Sequence, residues 1–128
     1  MDANADLLIV DDLPENLAVL SSILKNAGYK VRSTLSGELA LKAVALAPPA
    51  LILLDVMMPN MDGYEVCRRL KAAPHSAEIP VLFISALDDP QAKVKALTQG
   101  GVDFITKPFD AHEVLARVSV HLELRRAT

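Results

Sequence analysis

A strict alternation restricts what this chain can fold into. Five short apolar runs, at Leu7–Val10, Val31–Thr34, Leu51–Leu54, Val81–Ile84 and Asp103–Thr106, are separated by five segments with helical spacing. Several runs are continuously apolar, the pattern of strands covered on both faces. Helix-length connections between such strands require right-handed crossovers and hence a parallel sheet. A chain of 128 residues is too short for the repeats of a closed α/β barrel. The expectation is a doubly wound, five-stranded α/β sheet with five helices, a single domain over 1–128.

Helix boundaries follow from punctuation. The first helix opens at Pro14, lines up Leu17, Leu20, Leu24 and Ala27, and stops at Gly28. The second turns Leu39, Ala40, Ala43 and Val44 inward and ends before Pro48-Pro49. The third runs from Gly63 with Val66, Cys67 and Leu70 inward, halting before Pro74. The fourth takes Asp89 as N-cap and Pro90 as first residue, with Val94 and Leu97 inward, ahead of Gly100-Gly101. The fifth, about 111–126, opens on Asp110-Ala111-His112-Glu113, a capping box with Asp in the Ser/Thr role. It should face the sheet through Ala111, Leu115, Val118 and Leu122. Val120 and Leu124 fall on its other side, suited to a partner, a second copy or a following helix. In a longer parent protein this helix is expected to run on into a linker.

Composition removes several function classes. No apolar run approaches the ~20 residues of a membrane span. The opening MDANAD lacks the basic region of a secretory signal, and the single cysteine cannot form an internal disulfide, so a cytoplasmic location is expected. A net charge of −3, with scattered Lys and Arg, gives no footprint for direct nucleic-acid binding.

In an open sheet of this kind, ligands bind beyond the carboxyl ends of the strands. Strand one ends at Asp11-Asp12, strand three at Asp55, strand four at Ser85 and strand five at Lys107. Each has a bland reading alone: Asp12 as a helix-dipole partner, Ser85 as a turn residue, Lys107 as a solvated charge. Together they make a chemical set. Adjacent carboxylates repel, and a hard divalent cation such as Mg²⁺ offsets that repulsion with oxygen ligands. With metal bound, Asp55 suits nucleophilic attack on phosphorus, Lys107 charge neutralisation and Ser85 a hydrogen bond.

The segments IVDDLPEN, LILLDVMMPNMDGYEVCRRLK, IPVLFISAL and GGVDFITKPF resemble the receiver domain of bacterial two-component response regulators over nearly the whole chain. That resemblance implies a flavodoxin-like sheet of order 2-1-3-4-5. It implies Asp55 as phosphoacceptor, and Mg²⁺ (or Mn²⁺ as substitute) held by Asp11, Asp12, Asp55 and the Met57 backbone carbonyl. It further implies Ser85 and Lys107 on the phosphoryl group, a cis Lys107-Pro108 peptide, and Ser85 and Phe104 as switch residues. Tyrosine is common where Phe104 stands, and threonine where Ser85 stands. The implied partners are a sensor histidine kinase or histidine phosphotransfer protein. A second copy or an effector domain would engage the helix 4–strand 5–helix 5 face. The implied activity is that of a switch rather than an enzyme. Met57 and Leu87, both apolar, should leave water poorly oriented and self-dephosphorylation slow.

Other residues read as structural. Cys67 reads as core, Pro59 as a loop shaper, and Gly63 as a backbone-conformation requirement behind Asp55. Arg68-Arg69 and Arg125-Arg126 read as solvated helix charges, while His75, His112 and His121 lack metal-ligand spacing. Three other readings compete. A haloacid-dehalogenase-like phosphatase would need an aspartate at Met57, and a flavodoxin-like FMN domain would meet repulsion from Asp11-Asp12. A receiver that only docks, without phosphorylation, would have no use for the full site set.

Overall fold

The computed structural model describes residues 5–86 and 90–126. Among them, strands and helices alternate as β1 (Asp6–Val10), α1 (Pro14–Asn26), β2 (Lys30–Thr34), α2 (Gly37–Leu46), β3 (Leu51–Asp55), α3 (Gly63–Ala72), β4 (Val81–Ala86), α4 (Pro90–Thr98), β5 (Asp103–Lys107) and α5 (Ala111–Arg126). The strands form one parallel sheet in the order β2-β1-β3-β4-β5, the expected topology. The order reverses at β1, so the crevice between β1 and β3 lies at the switch point.

Successive strand residues point to opposite faces, and each face has its own helical cover. Leu8, Val10, Ile52, Leu54, Val81 and Phe83 pack under α2, α3 and Ala96 of α4. Leu7, Ile9, Leu51, Leu53, Leu82, Ile84 and Ile105 pack under α1 and α5. Each fully buried aliphatic side chain contributes about 1.5–3 kcal/mol relative to exposure, so both faces drive the sheet to close.

Caps fix the helix ends. Ser36 Oγ accepts from the Leu39 N–H at 3.2 Å, and Asp62 Oδ1 accepts from the Glu65 N–H at 2.9 Å. Gly28 follows α1 with φ 99°, as its place after the helix requires. Asp110 caps α5 by accepting from the His112 N–H at 3.0 Å. This is an N-cap on the second helical N–H rather than the expected capping box on the third, and the Glu113 carboxylate turns to Thr106 Oγ1 at 3.4 Å and Arg117 at 3.6 Å. The N-cap expected at Asp89 lies outside the described residues.

Several inward assignments fail, and packing explains them. Leu39 is half exposed because α2 meets the sheet through Ala40 and Val44. Among the described side chains of α4, Ala96 is buried, in the same cluster as Phe83, while Val94 and Leu97 face outward. Ala27 caps α1 from outside it and is exposed. Ala111 is exposed too, and Val114 takes the inner position beside Val118 and Leu122, with Leu115 partly buried. Val120 and Leu124 are exposed, as their phase predicted.

Candidate functional site

Strand register assembles the site. Val10 pairs with Leu54, so Asp11 emerges from β1 beside Asp55 of β3. Asp55 pairs with Ile84, Ser85 follows one residue on, and Lys107 pairs with Ala86. The polar groups thus step diagonally across four strand ends. All five strand-end side chains expected at the site gather there.

Asp11 and Asp55 are buried at 0% and 2% exposure, so their charges are largely out of water. Oxygens of Asp11, Asp12 and Asp55 lie within 4.8 Å of one another. Lys107 Nζ sits 3.4 Å from Asp55 Oδ1 and 3.6 Å from Asp11 Oδ2. Asp11 is held on both oxygens: the Leu13 N–H donates to Oδ1 at 3.0 Å and Asn16 Nδ2 donates to Oδ2 at 3.1 Å. Asn16 lies in the first helical turn, five residues beyond Asp11; an Asp-x₄-Asn spacing into a helix was the available but unused signal.

Asp55 is the electrostatically stressed member. Burial, then the neighbouring Asp11 charge, push its carboxyl up from 3.8 to about 6. Lys107 and the Met57 N–H, which donates to Oδ1 at 3.3 Å, only partly oppose this. The Ser85 hydroxyl is buried and has no hydrogen-bond partner among the described residues. A carboxylate held against its preference beside an unsatisfied hydroxyl is an arrangement that a charged ligand relieves.

The oxygen-only donor set and the strained carboxylates fit a hard divalent cation. The orphaned Ser85 hydroxyl and the Lys107 ammonium fit an anionic group beside it. A cleft of about 320 Å³ opens over the site, lined also by Met57, Tyr64, Gln91 and Lys95. Tyr64, Gln91 and Lys95 were missed because they come from helix faces whose phase the sequence leaves open. The Met57 side chain is 78% exposed, whereas Leu87 lies outside the described residues.

Gly63 matters for a different reason from the expected one. It shows no positive φ; instead, a Cβ there would collide with the carbonyl oxygen of Asp55. The Gly63 N–H donates to Val56 O at 3.0 Å, which presses α3 against the end of β3. The Lys107-Pro108 peptide is cis. Phe104 is partly buried, packs on the cluster containing Phe83, and lies with its ring 5.4 Å from the Arg117 guanidinium.

Among residues read as bland, Cys67 is buried core. His121 is instead a structural partner, with Nε2 3.0 Å from Asp103 Oδ2. Arg125 is not simply solvated: it donates to the Ala50 carbonyl at 2.6 Å. Arg68 and Arg69 are surface charges paired with Glu65. Among the described residues no helix is long and apolar enough to cross a membrane.

Comparison with known proteins agrees with this geometry. Residues 7–119 match the family model for the response regulator receiver domain. The response regulator PleD of Caulobacter vibrioides is 44% identical over 115 residues, covering 90% of this chain and 25% of the relative. The DNA-binding transcriptional regulator RpaA of Synechocystis is 44% identical over 115 residues, covering 88% and 46%. The chain therefore spans only a quarter to under half of these relatives. A putative response regulator from Chloroflexus aurantiacus superposes with a TM-score of 0.92 at 36% identity, covering 94% of this chain and 98% of that one. NtrX of Brucella abortus gives 0.91 at 29% identity, covering 97% and 28%. Sequence, topology and strand-end chemistry converge: the chain belongs to the response regulator receiver domain family.

Proposed function

We propose that this receiver domain accepts a phosphoryl group on Asp55 in a Mg²⁺-dependent reaction and works as a switch, not a turnover enzyme. The observation that carries this is the cluster itself: Asp55 flanked by Asp11, Asp12 and Lys107, with the Ser85 hydroxyl buried and unpartnered. Asp11, Asp12, Asp55 and the Met57 carbonyl would hold the cation, and Mn²⁺ would substitute. When bound, the cation supplies neutralisation of phosphoryl oxygen charge.

The chain's own groups do the rest. An Asp55 carboxylate oxygen attacks phosphorus in line with the departing group. The Leu13 N–H and Asn16 hold Asp11 fixed, so the acidic cluster is organised before the donor arrives. Lys107, now between two carboxylates, pairs with the transferred group as a compact charge. Ser85 donates its unused proton to a phosphoryl oxygen. Drawing Ser85 toward the phosphoryl frees space for the Phe104 ring, and the α4–β5–α5 face shifts its population between two states.

The donor is a sensor histidine kinase or histidine phosphotransfer protein in the cytoplasm. A second copy or an effector domain reads the α4–β5–α5 face, and exposed Val120 and Leu124 on α5 suit such a contact. The exposed apolar Met57 side chain offers no strong hydrogen bond to attacking water, which favours slow self-dephosphorylation. Intact-mass spectrometry after incubation with acetyl phosphate and Mg²⁺ tests the reading. Wild type should gain one phosphoryl group and Asp55→Asn none; an equal gain in both would overturn it.

A further inference from the structure

The cleft over Asp55 is walled by α3 and α4 as well as by the strand ends. There Tyr64 of α3 and Gln91 and Lys95 of α4 line the same cavity as Asp55, Ser85 and Lys107. Tyr64 is 6% exposed and tilted against Phe83, with ring centroids 5.2 Å apart, so its position is set by the core. The Lys95 ammonium lies 4.5 Å from the Tyr64 ring centroid. Such a contact steadies a flexible cation at the rim without neutralising it. Lys107, by contrast, is occupied by the two carboxylates. The cleft therefore holds Lys107, paired with two carboxylates, and a second lysine, Lys95, not claimed by any carboxylate contact among the described residues.

We propose that the Tyr64–Gln91–Lys95 end of the cleft is a subsite for the leaving group of the phosphoryl donor. Lys95 favours donors whose leaving group departs as an anion, acyl phosphates above all. This rests on Asp55 being the phosphoacceptor. In the transfer, a bond forms between an Asp55 carboxylate oxygen and phosphorus, and the phosphorus–oxygen bond to the acyl group breaks. Its electron pair leaves on the carboxylate oxygen, with no proton required. Negative charge accumulates on that oxygen as the bond lengthens, and a nearby ammonium stabilises it more in the transition state than in the bound donor. The Gln91 side chain supplies an amide donor on the same wall.

The test compares two donors on one protein. Initial phosphorylation rates are followed by intact mass with acetyl phosphate, which releases acetate, and with phosphoramidate, which leaves from its N-protonated form as neutral ammonia. Lys95→Gln should slow acetyl phosphate about five-fold, the scale of a partly screened unit-charge contact, and change phosphoramidate less than about two-fold. Lys95→Arg should restore the acetyl phosphate rate. The wild-type rate with acetyl phosphate should fall with added salt more steeply than that of Lys95→Gln. Equal slowing with both donors, or none with either, would overturn the subsite. Wild type that neither donor phosphorylates would instead overturn the phosphoacceptor reading beneath it.

Discussion

At the amino end of the sheet, acidic side chains meet cations, whereas at the carboxyl end they crowd one another. Asp6 receives a two-pronged contact from Arg32 at 2.8 and 3.2 Å. Asp103 takes Arg117 at 2.8 Å and His121 at 3.0 Å. Lys71 and Arg125 close backbone carbonyls ahead of β4 and β3. Across the sheet, three carboxylates cluster, two of them, Asp11 and Asp55, share Lys107, and the buried Ser85 hydroxyl has no hydrogen-bond partner among the described residues. The titrations move in opposite directions. Burial alone would raise Asp103, yet hydrogen bonds from His121, the Phe104 N–H and Arg117 hold it below the usual carboxylate range. Asp55 is driven up to about 6 by burial and by Asp11. One end pairs its charges and the other leaves them unfavourably placed, the division expected when a functional site holds unfavourable electrostatics that the scaffold must tolerate.

Breaking the amino end should have the larger cost. Asp103→Asn removes the carboxylate that Arg117 and His121 share, leaving Arg117 only its longer carboxylate contact to Glu113, and should destabilise the fold by about 2 kcal/mol in urea titrations at pH 7. The sign follows from a lowered folded-state pKa. The contribution is present above the ordinary carboxyl value and disappears as pH falls through the folded one. Wild type and variant should therefore converge once the pH falls well below the ordinary carboxyl value. A gap that persists there would assign the loss to packing instead.

The carboxyl end should respond in the opposite sense. Asp55→Asn removes a carboxylate that the fold disfavours, so in chelator at pH 7.5 it should stabilise the domain by about 1–2 kcal/mol. Because the folded pKa is raised, the wild-type contribution is fully present below 3.8 and is lost as pH rises through about 6. Wild type should thus approach the variant on acidification toward pH 5. Millimolar Mg²⁺ should raise the wild-type midpoint more than that of Asp55→Asn, which thermal melts can follow.

The smallest effect is expected at the rim of the amino end. Arg32 and Asp6 are each about a third exposed, so Arg32→Leu should cost about 1 kcal/mol or less and vanish further in high salt. A loss as large as that of Asp103→Asn would mean that this pair is less solvated than its exposure implies.

The sheet order and every strand-end side chain of the site were legible because continuous apolar runs end abruptly in polar residues. A strand terminus maps directly onto the functional rim. Helix faces were less legible. Spacing defines a stripe, but which edge of it touches the sheet depends on what lies beneath. Ala96, packed in the cluster with Phe83, is buried where Val94 and Leu97 were expected, and Val114 where Ala111 was expected at the start of α5. Partners distant in sequence stayed hidden for the same reason. His121 and Arg125 find Asp103 and Ala50 only once α5 docks, and Lys95 joins the cleft only once α4 does.

Gly63 gives the Asp55 carboxylate a locating device made from a missing atom. The third helix rests directly on the main chain that bears Asp55, with only a hydrogen where other residues carry carbon. Any side chain introduced there would act as a wedge, tilting Asp55 away from Lys107 before a single functional group had been altered.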